Sequence, residues 1–469
     1  MKLSARELLL VPHLQIRCPE LLEGKTFTGV STDSRTVIPG DLFVALRGQN
    51  FDGHQFVRDA LARGVSGAVV ESSWAANDPI QSGLLIVEDS TKALGQLASL
   101  YRKRFEIPIL AVAGSNGKTT VKEMITAVLG MKYRVHATEG NLNNHIGVPH
   151  TLFGLDRKHE VAVVEIGTNH PGEIRLLCNI LRPTHGLITT IGREHLEFFG
   201  TVEGVAKEEG VLFDFLGSMK KGFGFVNAGD PRVKRAAKLL KRTVSYGLGV
   251  RGATIRGKVL RLNETGSAML QFQGGRMRSP ARIQLAIPGE HNALNALAAA
   301  AVGLTLKVPA GKICRALESF QPASKRMEVK NVHGVIILND AYNANPDSML
   351  AALRTLAAAK VSGKRIAVLG DMRELGPAGA AEHEAIGKEV ARLGIDYLLT
   401  YGELGRRIHD AAGGRFALHY EQKNMLAEYL AELVAPGDFV LIKASRSMKL
   451  EDVATFLEER LQSPVLMYA

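Results

Sequence analysis

The sequence predicts an α/β protein of three domains: a small N-terminal α/β domain over residues 1–88, a central domain over 89–322 built on a mainly parallel sheet with a small antiparallel insertion, and a second doubly wound α/β unit over 323–469. Three observations predict it. Short apolar runs alternate with amphipathic helical stretches over most of the chain, which is the pattern of strands joined by crossover helices. One of those strand-to-helix junctions carries a glycine-rich turn, Gly114-Ser115-Asn116-Gly117-Lys118-Thr119-Thr120. A length of 469 residues, 46% hydrophobic and 22% charged, suits a globular enzyme of about three domains.

In the first domain, GDLFVALRG and GVSGAVVESS read as strands around a helix, FVRDALARG. Asp89-Ser90 can cap a helix with Leu94, Leu97, Leu100 and Tyr101 on one face, and Pro108 leads from it into the apolar run that ends at Gly114. After the glycine turn, Val121, Met124, Ile125, Val128 and Leu129 recur at helical spacing up to Gly130. VAVVEIG, HPGEIRLLCNIL, HGLITTIG, VEGVAKEEGVLFDFL and GFGFVNAGD then alternate strand with helix. From Gly249 to Ile287 short alternating runs separated by turn residues predict the antiparallel insertion, and HNALNALAAAAVGL resumes the helical pattern. Beyond Met327, GVIILND, SMLAALRTLAAA, RIAVLGD, EAIGKEVARLG, DYLLTYGE, MLAEYLAEL and DFVLIKAS repeat the alternation without a second phosphate loop, so this unit is expected to contribute substrate contacts and closure.

The formal charge of +11 suits acidic ligands such as ATP, nucleotide sugars and carboxylates, and is equally compatible with nucleic acid or an anionic membrane. The densest basic run, Arg232, Lys234, Arg235, Lys238, Lys241 and Arg242, has no interleaved aromatic residues and reads as a solvated helix face, so no nucleic-acid partner is expected. Cys18, Cys178 and Cys314 are widely spaced, without metal-ligand spacing, and fit structural thiols in a reducing compartment. No segment approaches the roughly twenty apolar residues of a membrane span. A cytoplasmic chain without membrane insertion is the expectation.

Backbone amides at a glycine turn opening a helix favour phosphate oxygens, Lys118 can reach the outer phosphates, and a Thr119 or Thr120 hydroxyl can ligate magnesium. The loop is a short variant, since Val112 stands where the longer pattern requires glycine. Glu165 ends the strand VAVVEIG, where ligands of open α/β sheets collect; it either holds magnesium beside a triphosphate or caps the following turn. His195 follows the strand HGLITTIG and is a further candidate ligand, although alone it would be an ordinary loop histidine. Lys207, twelve residues on, reads from spacing as a solvated helix lysine one turn from Glu203.

GSNGKTT, GNLNNHIGVPHTL, EIGTNHPGEI, REHLEFFGTVEGVAKEEG, PGEHNALNALAA, KRMEV, NDAYNANPDSM, LGDMRELG and KASRSMKLEDV follow one another over almost the whole chain and together resemble the ATP-dependent Mur ligases of peptidoglycan synthesis. The resemblance implies an N-terminal domain for the UDP portion of a substrate, a central ATPase domain and a C-terminal Rossmann-like domain. Within the family, NDAYNANPDS with LGDMRELG is similar to the member type whose substrates are UDP-N-acetylmuramoyl-tripeptide and D-alanyl-D-alanine. The D-N-P-R motif of the ligase type that adds the third amino acid is not found. By matched position, Ser31, Asp33, Ser34 and Arg35 would bind the UDP end, while Lys118 and Thr119 would hold phosphate and magnesium with Glu165 and His195. Lys207 would be carbamylated and support a second magnesium. Asn292 and Asn295 would face adenine, Arg326 the terminal phosphate, and Asp340 and Tyr342 the ribose and base. The implied reaction is ATP-dependent amide formation through an acyl phosphate, by a monomer.

Two asparagines three positions apart share one helix face, although Asn292 could also serve as a helix cap. Arg326 offers a forked donor for a phosphoryl group, or is a surface arginine of the linker. Other ligases of this architecture, taking a different amino acid or a folate-like acceptor, and a nucleotide-switched binding protein are the competing expectations.

Overall fold

The computed structural model describes residues 3–17, 24–48, 50–78, 80, 83–322, 325–414 and 416–462, and Cys18 lies outside them. Most elements follow from the apolar periodicity. Ser90–Arg102 is a helix whose N-cap Asp89 accepts from the Lys92 amide, and Leu94, Leu97 and Ala98 are buried on one face. Lys118–Gly130 follows the strand Ile109–Ala113 directly across the glycine turn.

Strands Gln15–Ile16, Leu84–Val87, Gly67–Glu71, Leu42–Val44 and Val30–Ser31 form a five-stranded sheet in that order, parallel except for the first. Leu3–Ser4 and Thr26–Phe27 pair separately as a two-stranded antiparallel ribbon.

The central sheet has nine strands. From one edge they are Val135–Ala137, Val161–Glu165, Ile109–Ala113, His185–Ile188, Phe223–Asn227, Thr243–Leu248, Ile255–Leu262, Ser267–Gly274 and Ala281–Pro288. The first seven are parallel and the last two complete an antiparallel meander. The expected insertion is therefore continuous with the main sheet: Ile255–Leu262 pairs in parallel with Thr243–Leu248 before the chain turns back. Burial on both faces of the parallel part explains its unbroken apolar runs.

Lys118–Gly130 and Glu290–Thr305 pack together on one face of this sheet. Ser90–Arg102, Glu173–Leu181 and Val202–Gly217 cover the other. Helix Val202–Gly217 buries Val205, Leu212, Phe213 and Leu216, at i, i+7, i+8 and i+11, and Glu209 falls on that same stripe.

The last sheet orders Glu328–Val332, Val335–Asn339, Phe439–Lys443, Arg365–Gly370, Tyr397–Tyr401 and Ala417–Tyr420, with only the first strand antiparallel. Among the described residues, no helix is long and apolar enough to cross a membrane. Lys234, Arg235, Lys238, Lys241 and Arg242 are exposed, but Arg232, the first of that basic run, is half-buried, and the helix Pro231–Ala236 ends before the last three.

Candidate active site

Strand Ile109–Ala113 lies between Val161–Glu165 and His185–Ile188, with Val112 level with Glu165 and Ala113 level with Ile188. Their carboxyl ends therefore open together, where ligands of such sheets collect. A cavity of about 1030 Å³ starts there and extends to the C-terminal sheet. Its walls include Ser115, Asn116, Gly117, Lys118, Thr119, Thr120, Glu165 and His195 from the central domain, Asn292 and Asn295 from the helix Glu290–Thr305, and Arg326, Asp340 and Tyr342 from beyond the linker.

The loop's geometry demands its glycines. Gly114 has φ +114°, and a Cβ there would approach Thr189 Oγ1 to 2.4 Å; Gly117 has φ +80°, with Asn295 Oδ1 2.9 Å from such a Cβ. Lys118 bends back so that Nζ donates to the Gly114 carbonyl at 2.5 Å and to Glu194 Oε2 at 3.3 Å. Burial opposes its charge, but Glu194, Glu209 and Glu165 outweigh that cost and hold the ammonium above its ordinary range.

Glu165 Oε1 accepts from Asn143 Nδ2 at 2.8 Å, while Oε2 has no partner. Glu194 Oε1 and Glu209 Oε1 are likewise buried without a partner. Burying carboxyl oxygens unpaired is costly, and burial and then Glu194 push the Glu209 carboxyl up to about 8, so these three acidic groups crowd a single ammonium where a divalent cation would favour their charged forms. Among the described residues no three His, Cys, Asp or Glu side chains form a metal site by themselves. The set suits magnesium, which needs few protein ligands when phosphate oxygens and water complete its shell.

His195 sits at φ +46° in the left-handed region, its Nδ1 2.6 Å from Glu374 Oε2, at ion-pair distance but without hydrogen-bond alignment. The His195 ring holds the Glu374 carboxyl below the usual range. Asn292 is buried and donates to the Pro288 carbonyl at 2.7 Å, and its Oδ1 accepts from Asn295 Nδ2 at 2.9 Å. Gly289 is the helix N-cap, so Asn292 lies within the first turn instead of capping it. Arg326 stacks over the Tyr342 ring at 3.7 Å, and Asp340 accepts from Lys443 Nζ at 2.5 Å.

Two expected groups lie elsewhere. Lys207 is exposed, stands outside the cavity wall, and is not paired with Glu203, which reaches Arg232 at 3.5 Å. Its position on the solvent side of helix Val202–Gly217 follows from the stripe that turns Val205 and Glu209 inward. Ser31, Asp33, Ser34 and Arg35 form a turn in the N-terminal domain, also outside this cavity. There Ser31 Oγ donates to the Asp33 carbonyl at 3.1 Å, and Arg35 pairs with Asp33 at 2.7 Å, holding that carboxyl well below its ordinary range.

The residues that sequence reading missed are Glu194, Glu209, Arg193 and Glu374. The signal for Glu209 was a glutamate on an otherwise apolar helical stripe. Arg193 clasps Asp347 through Nε at 3.0 Å and Nη2 at 2.5 Å, and Glu382 through Nη1 at 2.8 Å. Asn345 Nδ2 donates to Asn116 Oδ1 at 2.9 Å. These contacts tie two helices of the C-terminal unit to the phosphate loop at Asn116 and to the segment after strand His185–Ile188 at Arg193, and no local pattern in the sequence announces them.

A phosphate loop at a sheet's carboxyl edge, carboxylates beside its lysine and a second α/β unit across the cavity define a nucleotide-dependent ligase site. The chain belongs to the Mur ligase family: the family's middle-domain model matches residues 112–303, its glutamate ligase domain 325–446 and its catalytic-domain model 26–102. It is 36% identical to the UDP-N-acetylmuramoyl-tripeptide--D-alanyl-D-alanine ligase of Bacillus subtilis, with 93% of this chain and 94% of that one covered. It also superposes on the crystal structure of MurF from Acinetobacter baumannii with a TM-score of 0.89 at 30% identity, covering 98% of this chain and 99% of the other. The MurF ligase of Thermotoga maritima in complex with ADP matches with a TM-score of 0.81 at 28% identity, over 92% and 97% of the two chains.

Proposed function

We propose that this chain joins D-alanyl-D-alanine to UDP-N-acetylmuramoyl-tripeptide with cleavage of ATP to ADP and phosphate, as a cytoplasmic monomer of peptidoglycan synthesis. The observation that carries the reading is Lys118, held at the glycine turn among Glu165, Glu194 and Glu209 in a cavity bridged by Arg193 to the C-terminal unit. That arrangement suits phosphoryl transfer to a carboxylate, and relatives of matching length carry this ligase name.

Amides of Ser115 to Lys118 and the Lys118 ammonium cradle the phosphates, while Asn292 and Asn295 offer amide groups to adenine, and Asp340 and Tyr342 meet ribose and base. Thr119, Glu165 and His195 are the residues that would hold magnesium, which supplies charge neutralisation at the terminal phosphate. Arg326, on the far wall, brings a second cation to that phosphate. The tripeptide's terminal carboxylate oxygen attacks the terminal phosphorus, the bond to ADP breaks, and an acyl phosphate forms. The neutral amine of the dipeptide then attacks the acyl carbon, loses a proton, and expels phosphate. Ser31, Asp33, Ser34 and Arg35 hold the UDP end of the acceptor in the N-terminal domain. Lys207, on solvent, has no part in this assignment.

Phosphate release is measured with UDP-N-acetylmuramoyl-tripeptide, with and without D-alanyl-D-alanine, followed by mass analysis. The expected product is the pentapeptide with one phosphate per amide. Turnover with single amino acids or a folate acceptor, and none with the dipeptide, would replace this reading.

A further inference from the structure

Glu209 is 0% exposed in the middle of a helix face that otherwise buries Val205, Leu212, Phe213 and Leu216. A carboxyl group placed there sacrifices apolar packing, so it needs a compensating contact. One oxygen provides it: Oε2 accepts the Gly114 amide at 2.8 Å, at the point where the phosphate loop leaves its strand with φ +114°. The other oxygen, Oε1, is buried without a partner. The Glu209 carboxyl faces Lys118 and Glu194; burial and then Glu194 push it up to about 8 against the pull of Lys118 and the Gly114 amide, while Lys207 is exposed two residues earlier on the same helix.

We infer that Glu209, and not a carbamylated Lys207, is the carboxyl group this helix contributes to the nucleotide site. It serves as a positioning residue that fixes the phosphate loop through Gly114 and holds Lys118 where phosphate will bind. The inference rests on the reading of the cavity as an ATP site. An encoded carboxylate is present at every turnover, whereas a carbamate depends on dissolved carbon dioxide and on a neutral lysine amine. Lys207 is exposed and stands outside the cavity wall. The chain is therefore independent of bicarbonate.

Three variants separate charge, loop anchoring and the lysine. Glu209→Gln keeps an oxygen for the Gly114 amide and removes the charge; Glu209→Ala removes both; Lys207→Ala removes the amine. Mg·ADP affinity is read by calorimetry, melting of the free protein by circular dichroism, and carbamate by ¹³C NMR in labelled bicarbonate. The expected outcome for Glu209→Gln is a melting temperature within about 4 °C of the parent. Its Mg·ADP affinity is expected to fall at least about tenfold, with the KM for the UDP-linked peptide unchanged. Lys207→Ala is expected to match the parent in affinity and turnover, and the parent to show no carbamate resonance. Unchanged Mg·ADP affinity in Glu209→Gln, or a carbamate signal that disappears in Lys207→Ala together with activity, would overturn the inference. A parent protein that binds no Mg·ADP would instead remove the ATP-site reading itself.

Discussion

At Gly117 the phosphate loop turns through φ +80°, a left-handed conformation that favours glycine, and a Cβ there would stand 2.9 Å from Asn295 Oδ1. Gly117→Ala is expected to cost about 1–2 kcal/mol in folding stability from the left-handed backbone alone. It should also weaken Mg·ADP binding, both measurable by denaturant titration with and without nucleotide. Lys118→Ala should keep the fold and lower acyl-phosphate formation by at least about 10²-fold, the usual loss when one preorganised donor is removed. Near-normal ligation by that variant would dissociate the loop from the chemistry. That Lys118, Glu165 and His195 share one cavity was legible in the sequence, because Lys118 opens the helix after the glycine turn, Glu165 ends a strand, and His195 follows another. Glu194 was not, since its importance comes from Lys118 folding back on it across 76 residues of chain. Lys207 faces solvent, as its spacing suggested, and lies outside the cavity in which the resemblance would use it. The register of the buried stripe at Val205, Leu212 and Leu216 would have assigned the inward direction to Glu209.

Helix Val202–Gly217 does two jobs on one face: its apolar residues hold it on the sheet, and Glu209 reaches the loop. Leu212→Ala, at a fully buried position against that sheet, is expected to destabilise by about 2–5 kcal/mol in chemical denaturation. Nucleotide affinity of the molecules that remain folded should be little changed. On the neighbouring strand, His185 lies against Phe223 and Phe225, where burial and then Arg242 push its imidazole down to about 4. Its folded pKa is below the unfolded value, so the unfolded chain binds the extra proton between the two. Stability is therefore complete above pH 6.5 and declines as pH falls from there toward about 4. A His185→Gln variant should show a flatter profile over that window in melting experiments. Element by element, the sequence was readable wherever period and length agreed, as in the parallel strands of four or five apolar residues. The antiparallel meander was readable as strands but not as part of the main sheet, because pairing between Thr243–Leu248 and Ile255–Leu262 is a tertiary fact that alternation within each strand does not encode.

Across the whole molecule, the cavity is closed from the C-terminal side by few but well-aligned groups, Arg193 with Asp347 and Glu382 being the most extensive. An acyl phosphate exposed to water is lost to hydrolysis, so a weakened clasp should uncouple the reaction. Arg193→Ala is expected to raise the ratio of phosphate released to amide formed, assayed with limiting dipeptide, and to lower kcat for ligation. A ratio unchanged from the parent would assign the clasp to stability only. Three-domain organisation was foreseeable from alternation and length, whereas the pairing of Arg193 with residues more than 150 positions away was not. The turn from Ser31 to Arg35 ties Ser31, Asp33 and Arg35 to one another, but Thr32 within it reaches His150 of the central domain, Oγ1 to Nε2 at 3.0 Å. On the proposed assignment of this turn to the UDP end, that one bond links acceptor binding to the domain that takes ATP. Grafting a foreign loop there would therefore sever a tie to the neighbouring domain as well as alter what the turn holds.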